Sequence, residues 1–144
     1  MHATAADFVG TWRLVDYSLI HDDGAVEKPW GTDIRGYLLY STEGYMSGNL
    51  GPARYRRGVI ERIGSDRPER PRRNRRYIAY TGRFTVQGDT VTHHVEASLF
   101  PLWVGRDEVR YYSFDGDKLI LRTGPLKSRH HHTITAQLTW QRVR

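Results

Sequence analysis

The ionisable and aromatic side chains that could do chemistry are concentrated between positions 77 and 112. Two adjacent histidines, His93 and His94, lie there, and Arg110 follows on a later segment. A buried histidine with a pKa near neutrality can act as a general acid or base on an enol or a ketone. An arginine beside a phenol in an apolar cavity suits a carboxylate, an enolate or a polarised carbonyl. His93, Arg110 and Tyr80 are therefore the candidate catalytic residues.

The direction of these side chains decides between a chemical and a structural role. His93 shares its face of the strand with Val91, Val95 and Ala97, which favours an inward His93 and an outward His94. A buried histidine can also simply pack in the core, bonded to a neighbouring tyrosine or to a backbone carbonyl. Both readings of the histidines stay open from the sequence.

Arg110 has the same two readings. On an inward face it would need an anionic or hydrogen-bonding partner, because an unpaired buried guanidinium is costly. On an outward face it would pair with Glu108 or Glu96 across the sheet.

Aromatic residues supply the lining that a pocket for a flat or polyunsaturated ligand requires. Trp103 follows Phe100-Pro101 at a bend and could form part of a pocket mouth. Aromatic residues on strands also serve as core, so we expect about half of the lining candidates to contact a ligand. The candidate substrate-binding residues are Tyr37, Tyr40, Tyr45, His94, Trp103, Tyr112 and Phe114.

The elements that must position these residues are strands. Apolar residues alternate from Ile78 to Val86, a Gly88-Asp89 turn follows, and alternation resumes at Val91. Period two across a two-residue turn predicts an antiparallel hairpin. Similar turn signals divide the rest of the chain into about eight strands, preceded by one short helical turn at Thr4–Val9. We predict an all-β fold, a single eight-stranded antiparallel up-and-down β-barrel over residues 1–144, large enough to hold a small ligand.

The positive charge of the chain comes from one connection. The net charge is +6, and positions 54–76 alone hold ten arginines against three acidic residues, so the remaining residues are close to neutral. This long basic loop, at 51–76, is interpreted as a solvated segment or as a lid that attracts an anionic substrate or an acidic partner. No row of stacking aromatics accompanies the arginines, so no nucleic-acid partner is expected.

Several other classes are disfavoured by what the sequence lacks. It has no cysteine, no apolar run of about 20 residues and no secretory leader, so a cytoplasmic protein without membrane association is expected. His130-His131-His132 has no carboxylate at a set distance, and neighbouring strand residues alternate sides, so no metal and no cofactor are expected. The choice between a monomer and a homodimer stays open.

The chain resembles a known family along its whole length. Gly10-Thr11-Trp12 after a short helical turn, with Arg142 in the last strand, is similar to the signature of the lipocalin (calycin) superfamily. The segments GTWRLVDYSLIHDDG, PWGTDIRGYLLYSTEGYMS and YIAYTGRFTV resemble the bacterial lipocalin-like domain family. The resemblance implies that the tryptophan plugs the closed end of the barrel and that the arginine packs across it. It also implies a ligand cavity, and some similar proteins are associated with polyketide pathways.

Two functions are compatible with these observations. The first is a cofactor-independent cyclase or isomerase that folds a hydrophobic polyketide-like intermediate inside the barrel, for instance for a cycloaddition. The alternative is a non-catalytic protein of the lipocalin type that binds or carries a small hydrophobic ligand. Fold alone does not choose between them.

Overall fold

The computed structural model describes residues 2–53, 77–127 and 132–144. Positions 54–76, which carry the arginine-rich part of the predicted loop, lie outside these ranges, as do His130 and His131. The interpretations of that loop and of the histidine run therefore stay predictions.

Eight antiparallel strands of the described ranges close into a barrel. The chain begins with a short helix, α1 (Ala5–Phe8), and a 3-10 helix (Pro101–Trp103) follows the sixth strand. The strands are β1 (Gly10–His21), β2 (Val26–Glu27), β3 (Ile34–Tyr40), β4 (Tyr45–Pro52), β5 (Ile78–Gln87), β6 (Thr90–Ser98), β7 (Asp107–Asp115), β8 (Lys118–Arg122), β9 (Leu126–Lys127) and β10 (Thr133–Arg142).

The strands follow one another around the barrel in sequence order. The two-residue strands β2 and β9 only extend β1 and β10, and the other eight pair with their neighbours in a ring that the β1–β10 pairing closes. The predicted eight-stranded up-and-down barrel with a short N-terminal helical turn is confirmed. None of the helices in the described ranges is long and apolar enough to cross a membrane.

One end of the barrel is closed by α1 and the start of β1. The turn forms because the Thr4 backbone N–H donates to Asp7 Oδ2 at 2.8 Å, which satisfies one of the free amides at the helix start. It places the Phe8 ring inside the barrel, fully buried against Tyr40, Tyr112 and Phe114. We call Phe8 and Trp12 the plug.

Arg142 locks the plug to the last strand. Its guanidinium carbon lies 4.1 Å from the centre of the fully buried Trp12 ring, a cation–π contact. Its Nη1 and Nη2 donate to the carbonyl oxygens of Val9 and Asp7, each at 2.9 Å. Gly10 has φ +140°, and a Cβ there would lie 2.7 Å from Arg142 Nη1. The packing that the family resemblance implied for Trp12 and Arg142 is present.

A β-bulge between β5 and β6 changes one part of the predicted pattern. Thr81 pairs with Ala97 but Gly82 pairs with Val95, so Glu96 is an extra residue on β6. A Cβ on Gly82 would lie 1.7 Å from the His94 carbonyl oxygen, so only glycine fits at this point. The expectation that Ala97 continues the inward face of His93 is wrong, because the bulge turns Ala97 to solvent.

We predict that Arg142→Ala lowers the free energy of unfolding by about 2–4 kcal/mol, because it removes a buried cation–π contact and two charge-assisted hydrogen bonds. Chemical denaturation of the variant and the wild type measures the difference. Arg144→Ala, which changes an exposed arginine two residues later, is the matched control and should leave the free energy of unfolding nearly unchanged. Equal effects of the two substitutions would show that Arg142 does not lock the plug.

Candidate functional site

A cavity of about 80 Å³ lies inside the barrel, beyond the plug. Its wall is mostly apolar, and five of its side chains carry polar atoms: Tyr80, His93, Trp103, Arg110 and Trp140. The lining residues are Leu38, Gly48, Leu50, Ile78, Tyr80, His93, Trp103, Arg110, Leu121, Leu138 and Trp140. All three candidate catalytic residues thus line the cavity.

His93 is buried between two tyrosines and bonds to both of them. Its Nε2 lies 2.6 Å from Tyr40 Oη, and its Nδ1 lies 2.7 Å from Tyr80 Oη. Tyr40 lies toward the plug, in edge-to-face contact with the Phe8 ring, whereas Tyr80 faces the cavity. The three side chains form a chain of hydrogen bonds from the plug to the cavity.

Burial keeps all three members of this chain uncharged. Desolvation is the largest effect on His93 and lowers its pKa to about 3, and the charge of Arg110 acts in the same direction. Desolvation also raises the pKa of Tyr40 well above 10 and that of Tyr80 to about 12. At neutral pH the imidazole is therefore neutral, with one donor and one acceptor nitrogen, and both phenols keep their protons.

The directions of the hydrogen bonds follow from the partners available. Tyr40 is buried, and among the described residues the partner of its hydroxyl is His93. The Tyr40 O–H therefore donates to His93 Nε2. Nδ1 then carries the imidazole proton and donates to Tyr80 Oη. The Tyr80 O–H is left to donate to an acceptor in the cavity.

Arg110 faces inward and has an anionic partner. Its Nη2 lies 3.3 Å from Glu108 Oε2, and its Nη1 donates to the Val109 carbonyl oxygen at 2.9 Å. Glu108 also pairs with Arg106 at 3.5 Å, and in the sheet it lies directly opposite His93. Arg110 thus combines the two sequence readings, because it lines the cavity and also pairs with Glu108.

Trp140 lines the cavity, and its indole nitrogen lies away from the open space. Its indole Nε1 is buried and has no hydrogen-bond partner in the described part of the chain. Buried polar groups are nearly always paired, so such an orphan calls for an explanation.

An aromatic recess adjoins the cavity at the 3-10 helix. It has a volume of about 420 Å³ and is lined by Ile78, Phe100, Pro101, Leu102 and Trp103. Ile78 and Trp103 belong to both spaces, so they stand between the cavity and the recess. The Leu102 side chain is 91% exposed beside it. Trp103 therefore lies where the sequence placed a pocket mouth.

Three of the candidate substrate-binding residues lie on the outer face of the barrel. Tyr37 and Tyr45 are 50% and 45% exposed, and Tyr45 stacks on Arg83. His94 bonds outside to Thr85 Oγ1 at 3.0 Å and to Asp107 Oδ1 at 2.8 Å. The expectation that Tyr37, Tyr45 and His94 line this cavity is corrected, because strand alternation turns all three away from it.

Three further candidates point inward but do not line the cavity. Tyr112 and Phe114 pack on Phe8 in the plug, and the Tyr112 hydroxyl donates to the Gly88 carbonyl oxygen at 2.5 Å. Tyr40 lies behind His93 and reaches the cavity only through it. Of the substrate-binding candidates, Trp103 alone is among the residues that line the cavity.

Sequence reasoning missed Trp140 and the leucines of the wall, and it named Glu108 only as an outward partner of Arg110. Glu108 alternates with Arg110 on β7, so an inward Arg110 already required an inward Glu108. Trp140 lies two residues before Arg142 on the last strand, and the same alternation would have placed it inside.

We predict that His93 couples the stability of the fold to pH. Its folded-state pKa is far below its usual value of 6.5, so between pH 6.5 and 3 the unfolded chain binds a proton there that the folded chain does not. The contribution of the neutral His93 to the free energy of unfolding is fully present above pH 6.5. As the pH falls below that value, this contribution decreases by up to about 1.4 kcal/mol per pH unit.

The measurement is denaturant unfolding of the wild type and His93→Gln at pH 7, 6, 5 and 4. At pH 7 the free energy of unfolding of the variant should be about 2–3 kcal/mol lower than that of the wild type, and this difference should narrow as the pH falls. His94→Gln, on the outer face, is the control. A difference between the wild type and His93→Gln that stays constant from pH 7 to pH 4 would contradict a buried neutral His93.

Comparison with known proteins agrees with this architecture. A family model described as the lipocalin-like domain matches residues 9–143. A 4'-hydroxy-3'-methoxypropiophenone carrier protein of Aspergillus oryzae is 42% identical over 57 residues, which are 34% of this chain and 51% of that protein. The match thus spans about half the length of that relative. With nearly the whole chain matched by the family model, this protein belongs to the lipocalin-like domain family.

Proposed function

We propose that this protein binds and carries a small aromatic compound, with one end of the ligand in the cavity and its ring in the recess. The observation that carries the proposal is the apolar cavity with a cluster of polar groups on its wall, beside an aromatic recess. Apolar concave sites with a few well-placed polar groups are typical of small-molecule binding.

The volumes bound the size of the ligand. At about 80 Å³ the cavity is small beside the roughly 300–1,000 Å³ of typical ligand pockets, so it has room for a short substituent of the ligand. The recess is about five times larger and has the Phe100 and Trp103 rings on its wall, 5.0 Å apart between centroids. Aromatic ligands pack favourably on such rings.

The partial relative supports the same class of ligand. Its name describes a carrier of a propiophenone, which is a single aromatic ring with a short acyl chain and two small oxygen substituents. Such a molecule matches a small cavity next to a larger aromatic recess.

Catalysis by a cofactor-independent cyclisation or isomerisation stays a prediction, and two features favour binding over it. The cavity is too small to enclose a linear polyketide-like chain in a folded conformation. His93 has both ring nitrogens engaged and a pKa of about 3, so it is a poor general acid or base at neutral pH.

The test is a titration with 4'-hydroxy-3'-methoxypropiophenone, monitored by tryptophan fluorescence, since Trp103 and Trp140 line the cavity. We expect saturable quenching with one site and a Kd on the order of 10 μM, as is usual for a ligand of this size. The ligand should be recovered chemically unchanged by chromatography. Recovery of an isomer or a cyclised product would favour catalysis instead.

Two variants on β4 locate the site. Gly48→Val adds a side chain on the cavity wall, where a Cβ meets only Leu38 at 3.5 Å and Met46 at 3.9 Å. It should stay folded and weaken binding by about tenfold or more, because it occupies much of the small cavity. Asn49→Val, the next residue, points outward and should change the Kd by less than about twofold. Absence of quenching, or equal Kd values for both variants, would refute the proposal.

A further inference from the structure

Two side chains of the cavity wall have hydrogen-bond donors without a partner among the described residues. In the chain of hydrogen bonds from Tyr40 through His93, the Tyr80 O–H is the group that remains free. The second is Arg110, whose guanidinium only donates.

The donors that line the cavity come from two strands. Tyr80 is on β5 and Arg110 is on β7, two strands apart in the ring of eight, and both line the cavity. Among the described residues, Arg110 uses two of its five N–H groups, for Glu108 and Val109. A group that enters the cavity therefore meets donors from two strands.

The acceptor that these donors favour is uncharged. Arg110 is already compensated by Glu108, which is itself largely buried, and a second carboxylate would lie close to that negative charge. A carbonyl oxygen has two lone pairs, accepts two hydrogen bonds and brings no net charge. A ligand that ended in a hydroxyl or an amine would instead place its own hydrogens against these donors.

We infer that the cavity selects ligands by a neutral carbonyl at their buried end, held by Tyr80 and Arg110, with the aromatic ring left in the recess. The inference rests on the proposed function and adds two points to it: the functional group of the ligand that is recognised, and the orientation of the ligand in the site. An aryl ketone would enter with its acyl group first, and any phenolic hydroxyl on its ring would remain near Trp103.

The test compares propiophenone with propylbenzene, which has a CH₂ group in place of the ketone C=O. Propylbenzene is the more hydrophobic of the two, so a site without polar recognition would prefer it. We expect wild-type protein to bind propiophenone about tenfold more tightly by calorimetry, because only the ketone satisfies the buried donors. 3-Phenylpropanoate should bind more weakly than propiophenone.

Two tyrosine variants identify the donor. Tyr80→Phe should weaken propiophenone binding by about fivefold or more and leave propylbenzene within about twofold. Tyr112→Phe, which removes a hydroxyl that bonds to Gly88 in the turn between β5 and β6, should leave both affinities unchanged. With ¹³C=O-labelled propiophenone, the carbonyl stretch in the infrared should move to lower frequency on binding and recover in Tyr80→Phe.

The outcomes separate this inference from the proposed function. Equal or tighter binding of propylbenzene, or tighter binding of 3-phenylpropanoate, overturns carbonyl recognition while aromatic ligand binding stands. This comparison uses the wild type alone, so it holds even if Tyr80→Phe does not fold. Failure of all three compounds to bind overturns both.

Discussion

The hydrogen-bonded group Tyr40–His93–Tyr80 is the interaction on which the interior of this barrel depends. A histidine at the centre of an apolar barrel can remain there only if it is neutral and if both ring nitrogens have partners. The two phenols meet that requirement at 2.6 and 2.7 Å. Because each group in this chain of hydrogen bonds is satisfied by the one before it, the hydrogen of the three side chains that has no partner among the described residues is the one on the Tyr80 hydroxyl, and Tyr80 lines the cavity. A structural requirement, satisfying a buried imidazole, thereby creates a donor for a ligand.

The same chain of hydrogen bonds connects the two ends of the barrel. At the closed end of the barrel, Tyr40 packs on the ring of Phe8, which α1 holds inside. Arg142 stabilises this end through its contact with the Trp12 ring and its hydrogen bonds to the carbonyl oxygens of Val9 and Asp7. At its other end Tyr80 contacts Trp103, with ring centroids 6.1 Å apart, and Trp103 separates the cavity from the recess. The plug therefore sets the position of Tyr40, and through His93 the position of the donor that faces the ligand. Binding in this account uses rigid, prearranged groups, which reduces the entropy lost when a ligand is ordered.

Much of this arrangement can be read from the sequence, for identifiable reasons. Glycine-containing turns and period-two alternation are local signals, so the hairpin of β5 and β6 and the inward His93 were predictable. Trp12 and Arg142 could be paired because the family resemblance fixes both ends of the chain. The direction of Tyr37 could not be read, because it is followed by Leu38, Leu39 and Tyr40 and the strand is apolar on both faces. The bulge at Glu96 depends on a cross-strand contact between Gly82 and the His94 carbonyl oxygen, and such contacts leave no local pattern. Tyr112 and Phe114 share the face of Arg110, whose direction stayed open from the sequence, and their depth in the barrel is decided by Phe8, which lies over a hundred residues away.

The measurement that tests the account most directly is ¹⁵N NMR of the His93 ring in the wild-type protein, with the exposed His94 as internal reference. The account predicts a neutral imidazole between pH 5 and 8, with the proton on Nδ1 and a bare Nε2 that accepts from Tyr40. An imidazolium in that range, or a proton on Nε2, would contradict it, because Tyr80 would then no longer be the free donor in the cavity.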